Sequence, residues 1–132
     1  MGVIAMGERN LRRHERLRKR EDFQRVMHEG RFIRHPLLTL AVRPNGLMFS
    51  RIGLSVGKRI GNAVNRNQVK RRIREAFRLH KREIVAAHDV VFFARSGLAE
   101  SDYRRTERAV EQLLRRADIG VAARASDEAV GE

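Results

Sequence analysis

Residues 61–82 read GNAVNRNQVKRRIREAFRLHKR, and this stretch predicts the helix around which the domain is organised. Asn62 is a favourable N-cap residue, and the run after it contains neither Gly nor Pro. Apolar side chains recur at the i, i+4, i+7, i+8 spacing of a buried helical stripe. They are Val69, Ile73, Ala76 and Phe77. We therefore predict a helix that packs one face on the rest of the domain.

The opposite side of this helix is strongly basic. It carries Asn67, Lys70, Arg71, Arg74 and Arg78. Like charges four residues apart, such as Lys70 with Arg74, destabilise a helix by about 0.2–0.5 kcal/mol per pair. A helix that keeps such a face despite this cost is typical of a protein that binds a polyanion.

The composition favours the same class of partner. The chain has 132 residues, a formal net charge of +13 and a pI near 11.6, which indicate nucleic acid. There is no cysteine, so disulfides and thiolate metal sites are excluded, and the five histidines have no zinc-helix spacing. No stretch resembles a signal peptide or is long enough to span a membrane. We expect a cytoplasmic protein of one domain, residues 17–117, between a flexible basic segment, 1–16, and a disordered tail, 118–132.

Two further helices are predicted. The first starts near Leu17, has an apolar stripe of Phe23, Val26 and Met27, and ends at Gly30 in the left-handed conformation. The last covers 101–117, with Ser101 as its N-cap residue.

Three strands complete the expected α/β (α+β) fold. Residues 37–43 and 48–57 flank a Pro-Asn-Gly turn and predict an antiparallel hairpin, and residues 89–95 are apolar on both faces, as a central strand would be. Alternation places one set of side chains toward the core, namely Leu38, Leu40, Val42, Ile52, Leu54 and Val56. The other face is small and polar, too much so to be buried under another layer, and we expect it to form an open groove for a nucleic-acid strand. It carries Thr39, Ala41, Arg43, Arg51, Gly53, Ser55 and Gly57.

The patterns of common catalytic sites are missing from the sequence. It has no phosphate-binding glycine loop and no nucleophile elbow, and its acidic residues are scattered beside arginines rather than paired. We predict neither catalytic nor metal-binding residues in this chain.

Two motifs closely resemble the bacterial ribonuclease P protein subunit. They are LSVGKRIGNAVNRNQVKRRIREAF, residues 54–77, and REDFQRVMHEG, residues 20–30, and the resemblance extends over about residues 17–117. It implies a two-layer α-β-β-α-β-α sandwich with a left-handed βαβ crossover, similar to the second domain of a small-subunit ribosomal protein family. It also implies that a partner RNA, using Mg²⁺ bound by that RNA, cleaves precursor tRNA to make the mature 5′ end.

The resemblance further implies two binding surfaces and no cofactor held by the protein. The catalytic RNA would contact Arg66, Asn67, Gln68, Lys70, Arg71 and Arg74. The 5′ leader of precursor tRNA would contact Phe23, Met27, Thr39, Ala41, Ser55, Gly57 and Lys58. Gln68 stands where the family often has Arg, and Met27 where an aromatic residue is frequent. Neither a membrane nor an obligate protein partner is expected.

Three alternatives follow from the residues themselves. A structural protein that binds ribosomal RNA would share the basic charge. A DNA-binding protein could use residues 62–82 as a recognition helix, although the preceding helix and short turn of a helix-turn-helix are missing. An enzyme that acts without an RNA partner has the least support.

Overall fold

The computed structural model describes residues 15–80 and 87–119, which form a mixed α+β domain, as predicted, with a single sheet of four strands where three were expected. The helices and strands are α1 (Arg20–Glu29), β1 (Arg31–Arg34), β2 (Leu38–Pro44), β3 (Arg51–Ser55), α2 (Ala63–His80), β4 (His88–Ala94) and α3 (Tyr103–Ala117). Two short 3₁₀ turns, Lys58–Ile60 and Ser96–Glu100, precede α2 and α3. The predictions for residues 1–14 and 120–132 lie outside the described residues.

The order of the strands corrects the predicted hairpin. The sheet runs β1-β2-β4-β3, so β4 lies between the two strands that were expected to pair. It is antiparallel to β2 and parallel to β3. The central position of β4 is confirmed, whereas the edge strand β1, antiparallel to β2, was not predicted. The chain passes from β3 to β4 through α2, and the left hand of this crossover stays a prediction.

One face of the sheet is sealed by α2 and α3. The stripe predicted for α2 is confirmed, because its buried residues are Val69, Ile73, Ala76 and Phe77. Phe77 meets Phe92 of β4 edge to face, with ring centroids 6.3 Å apart. The apolar side chains of the strands complete this core, and Ile119, predicted to lie in the disordered tail, is buried against it.

The other face of the sheet is partly open, but some of the small residues expected to line its groove are covered. Helix α1 and Leu17 cover part of it, and a small cluster forms there from Leu17, Val26, Ala41 and Val91, with Phe23 and Phe93 at its margin. Ala41 is completely buried, and the Phe23 ring packs so closely on Gly53 that a Cβ atom there would lie 2.7 Å from it. Small residues on this face therefore serve to let α1 approach the sheet.

A polar cluster under one end of α1 holds this helix on the sheet. The buried Asp89 carboxylate accepts two hydrogen bonds from the Arg51 guanidinium, at 2.8 and 2.7 Å, and one from Asn45 at 2.9 Å. Arg51 also reaches Asp22 in the first turn of α1, at 3.3 Å. The hydrogen bonds to Asp89 raise the pKa of Arg51 above its ordinary value. This cluster joins β3, β4 and α1.

The helix ends show which local predictions hold. The Asn62 side chain caps α2 by accepting from the Asn65 N–H at 2.9 Å, as predicted. In α3 the cap is Asp102, which accepts from the Arg105 N–H, and not Ser101, which is buried. Gly30 ends α1 in an extended and not a left-handed conformation. Glycine is required there because a Cβ atom would lie 2.3 Å from the Val26 carbonyl oxygen.

Candidate nucleic-acid interface

The basic face of α2 is retained in the folded domain. Asn67, Gln68 and Arg71 are exposed, and Arg66, Lys70 and Arg74 are half-buried. Among the described residues, the side chains of these four cations form no hydrogen bond or ion pair with the protein. Because nothing within the described fold neutralises them, they remain available to phosphate groups.

Two other cations of α2 have structural partners. The Arg72 guanidinium donates to the Ser101 carbonyl oxygen at 3.1 Å and so ties α2 to the segment before α3. Arg78 forms a two-pronged ion pair with Glu75. Arg78 had been placed on the basic face, but its charge is thus partly neutralised. The free cations are therefore concentrated in the first three turns of α2.

Lys70 and Arg74 line a cavity that was not predicted from the sequence, and we call it the cationic cavity. Its rim is completed by Arg16 and Arg18, and the cavity measures about 250 Å³. The floor is apolar and consists of Leu17, Phe23, Ile52, Gly53 and Leu54. Arg16, expected to belong to a flexible segment, bridges to Ile52 of β3, and the Leu17 N–H donates to the Ile52 carbonyl at 2.8 Å.

The electrostatics of the cationic cavity favour an anion. Burial, and to a smaller extent the positive charge of Arg16, lower the pKa of Arg74 below its ordinary value. Arg74 therefore carries a charge that is partly removed from water and has no anionic partner among the described residues. A phosphate group placed between these cations would relieve both effects.

The part of the sheet that α1 leaves uncovered forms a second site, which we call the aromatic cleft. Phe93 of β4 lies at its centre and is flanked in register by Thr39 of β2 and Ser55 of β3. Phe32 of β1 stacks on Phe93, with centroids 6.2 Å apart and planes inclined by 26°. Phe32 is 45% exposed, so an aromatic surface faces solvent. Such a surface can stack on an unpaired base.

Basic side chains border the aromatic cleft on both sides of Phe93. On one side it is lined by Met27, Phe32, Arg34, Thr39, Phe93 and Arg95. On the other side it is lined by Ser55, Gly57, Arg59, Ile60, Phe93, Ala94, Arg95 and Ser96. Leu54 of the cationic cavity and Ser55 of the aromatic cleft are consecutive residues of β3, so both sites reach this strand.

The residues predicted for leader binding are divided by the structure. Met27, Thr39, Ser55 and Gly57 line the aromatic cleft. Phe23 instead lies in the floor of the cationic cavity, and Lys58 is exposed beside the cleft, where Arg59 is the lining residue. Ala41 is buried and has no surface to offer a ligand, so its assignment was wrong.

The aromatic residues of the cleft were missed by the sequence analysis. Phe32 lies on the strand that was not predicted. Phe93 could have been found, because alternation along β4 puts it on the opposite face from Phe92 and in register with Thr39 and Ser55.

Two negative findings concern the described residues only. No group of three or more His, Cys, Asp or Glu side chains among them is placed to hold a metal ion. Several of their acidic residues pair with arginines instead, as in the Asp89–Arg51 pair. No described helix has the length and apolar character needed to cross a membrane.

Comparison with known proteins gives a consistent result. The sequence model of the family described as Ribonuclease P matches residues 11–118. The chain is 38% identical over 106 residues to the ribonuclease P protein component of Alkaliphilus metalliredigens, an alignment that covers 80% of this chain and 96% of that protein. It is 43% identical over 110 residues to that of Roseiflexus sp., with 83% and 90% covered.

Solved structures are similar as well. The RNase P protein of Staphylococcus aureus superposes with a TM-score of 0.75 at 33% identity, covering 80% of this chain and 97% of that one. The RNase P protein of Thermotoga maritima superposes with a TM-score of 0.71 at 34% identity, covering 77% and 96%. The similarity thus extends over the whole described fold.

Proposed function

This chain belongs to the ribonuclease P protein family, and we propose that it binds the catalytic RNA of that ribonucleoprotein and the 5′ leader of precursor tRNA. The family accounts for the partnership with ribonuclease P RNA. The observation that carries the rest is the arrangement of two different surfaces side by side. A set of unpaired cations on α2 adjoins an aromatic cleft on the sheet.

The α2 face suits a folded RNA. Arg66, Lys70 and Arg74 are four residues apart and form a row along the helix, with Asn67, Gln68 and Arg71 beside them. Guanidinium groups bind phosphates through paired hydrogen bonds, and the amides of Asn67 and Gln68 can reach a sugar hydroxyl or a base edge. We assign the catalytic RNA to this face.

The aromatic cleft suits a single strand. Phe93 and Phe32 offer a stacking surface, Met27 adds apolar contact, and Arg34, Arg59 and Arg95 can accompany the phosphate backbone. Thr39 and Ser55 add hydroxyl groups on either side of Phe93. We assign the leader to this cleft, with Phe93 and Phe32 replacing Ala41 in the set of contacts.

The protein would act by binding and positioning. In this proposal the RNA partner cleaves precursor tRNA in the bacterial cytoplasm, and Mg²⁺ held by that RNA, not by this chain, would supply the activation of water. The cationic cavity extends the α2 surface from Lys70 and Arg74 to Arg16 and Arg18, and would neutralise further phosphate groups there.

The decisive experiment is cleavage of precursor tRNA by a bacterial ribonuclease P RNA at limiting Mg²⁺, with and without this protein. Long-leader and leader-truncated substrates are compared. We expect the protein to restore cleavage and to favour the long leader. Absence of any rescue would overturn the proposed function in favour of an RNA-binding role outside ribonuclease P. Equal rescue of both substrates would overturn only the assignment of the cleft.

Paired variants test the contact between the α2 surface and the catalytic RNA. Lys70→Gln with Arg74→Gln removes two phosphate contacts, so for the catalytic RNA the negative slope of log K against log salt should become shallower by about 1.4–1.8. Lys19→Gln with Arg20→Gln removes the same charge from exposed positions at the start of α1 and should leave the slope unchanged. If the slope became equally shallow in both variants, the result would indicate a general charge effect and not a contact through α2.

A further inference from the structure

The outward face of α3 carries a second set of cations. Arg104, Arg108 and Arg115 are spaced by four and seven residues, so they share one stripe of the helix, and all three are exposed. The buried side of α3, opposite this stripe, packs into the sealed core. The function proposed above makes no use of this stripe.

The arginines near the start of α3 are poorly placed for helix stability. Arg104 and Arg105 lie in the first turn, where the helix dipole disfavours positive charge, and the first turn contains no acidic residue. Arg104 and Arg108 are also like charges four residues apart, which is a further unfavourable pair. Local stability therefore does not explain these residues.

Ion pairing within the domain does not explain them either. Arg115 pairs with Glu111 at 3.6 Å, and the other acidic residue of α3, Glu107, turns toward His80 of α2 at 3.6 Å. Among the described residues, the side chains of Arg104 and Arg108 form neither an ion pair nor a hydrogen bond. These two exposed cations therefore have no anionic partner among the described residues.

The position of the stripe separates it from the α2 face. Lys70 and Arg74 point into the cationic cavity beside β3. Helix α3 instead packs over β1 and β2, and its Arg116 donates to the Arg34 carbonyl oxygen of β1 at 2.6 Å. Lys70 and Arg74 thus face the β3 edge of the sheet, whereas the stripe on α3 faces away from the sheet, so the two sets of cations point in different directions.

We propose that Arg104, Arg108 and Arg115 form a second RNA-binding surface, which contacts the phosphate backbone of a separate helical segment of the partner RNA. The stripe has no aromatic side chain on which an unpaired base could stack, so it suits regularly spaced phosphates. The inference rests on the proposed function, because that function supplies a large structured RNA.

Salt-dependent binding to ribonuclease P RNA tests the surface. Arg104→Gln with Arg108→Gln should make the negative slope of log K against log salt shallower by about 1.4–1.8, because two phosphate contacts are lost. Arg104→Lys with Arg108→Lys should keep most of the slope. Glu111→Gln releases Arg115 from its ion pair and should change binding in the opposite direction, toward higher affinity. Lys19→Gln with Arg20→Gln again controls for net charge.

The site of contact can be mapped directly. Because the chain has no cysteine, Arg108→Cys and Gln68→Cys each provide a unique attachment point for a photo-crosslinker. We expect the two probes to label different segments of the RNA. Thermal unfolding of each variant verifies that the fold is intact.

The outcomes distinguish this inference from the proposed function. If the unmodified protein fails to bind the RNA or to restore cleavage, both fall together. If Lys70→Gln with Arg74→Gln weakens binding while Arg104→Gln with Arg108→Gln matches the net-charge control, the α3 surface alone is overturned. Labelling of one common segment by both probes would also overturn it.

Discussion

The two faces of the sheet are built from alternate residues of the same strands, yet one is sealed and the other is left partly open. Phe92 and Phe93 are neighbours in β4, but Phe92 is buried against Phe77 whereas Phe93 lies in the aromatic cleft. Two helices cover the first face, whereas the ten-residue helix α1, together with Leu17, covers part of the second. The comparison indicates that the large apolar core lies on one face of the sheet, whereas the other face keeps an exposed aromatic surface.

The largest expected effect comes from breaking the sealed face. Phe92→Ala removes a fully buried ring at the centre of the core and should lower the free energy of unfolding by about 3–5 kcal/mol. Urea unfolding followed by circular dichroism measures this change. A loss below about 1 kcal/mol would contradict the central role of the sealed face.

The next effect concerns the polar cluster that joins the two faces. Asp89→Asn removes the charge that Arg51 meets and should lower the free energy of unfolding by about 1.5–3 kcal/mol. Because Arg51 also holds Asp22 of α1, rescue of long-leader substrates should fall as well.

A matched control for this change is Arg43→Gln. It breaks an ion pair with Glu29, whose side chain is 59% exposed, so less than about 1 kcal/mol should be lost. Equal losses in both variants would show that the buried position of Asp89 has no special role.

A change on the open face should affect binding more than stability. Phe93→Ala removes the centre of the aromatic cleft and should weaken binding of the leader by about 1–3 kcal/mol per stacked base. Binding of long-leader and leader-truncated precursor tRNA to the reconstituted particle measures the effect. Phe93→Tyr keeps an aromatic ring and should therefore bind the leader as the unmodified protein does. Equal weakening for both substrates would show that Phe93 does not contact the leader.

The smallest effect is expected on the outer surface of α2. Glu75, whose pKa is lowered mainly by its hydrogen bond to Arg78, is a 46% exposed carboxylate, so the pair should contribute only about 0.2–0.5 kcal/mol. A lowered pKa stabilises the fold above the unfolded-state pKa, and this contribution is lost as the pH falls through the folded-state value. The free energies of unfolding of Glu75→Gln and of the unmodified protein should therefore differ by about 0.2–0.5 kcal/mol near pH 6. This difference should disappear as the pH is lowered to 3.

Sequence patterns predicted the local features of this fold better than its pairings. The buried stripe of α2 and its Asn62 cap depend on spacing within one helix, and both are confirmed. Alternation also placed Leu38 and Ile52 on the core face. It assigns a face but not a neighbour, since a strand alternates in the same way beside any partner. The insertion of β4 between β2 and β3 was therefore not foreseen.

The candidate site shows the same limit. The cations of α2 were predicted because they lie within one helix, whereas the cationic cavity joins Arg16 and Arg18 to Lys70 and Arg74 across a long stretch of sequence. Ala41 was misassigned because small side chains on a sheet face are compatible with a bound ligand and with a closely packed helix. Only the position of α1 distinguishes the two.

The order of the strands also determines when the binding surface can form during synthesis. The central strand β4 follows α2 in the chain, so β2 and β3 have no common neighbour until β4 has left the ribosome. Such non-local pairing forms late compared with local contacts. Thr39, Ser55 and Phe93 meet in the same step that completes the core. A nascent chain that ends before β4 would carry the basic helix without the cleft beside it, so under the proposed assignments it would lack the leader surface.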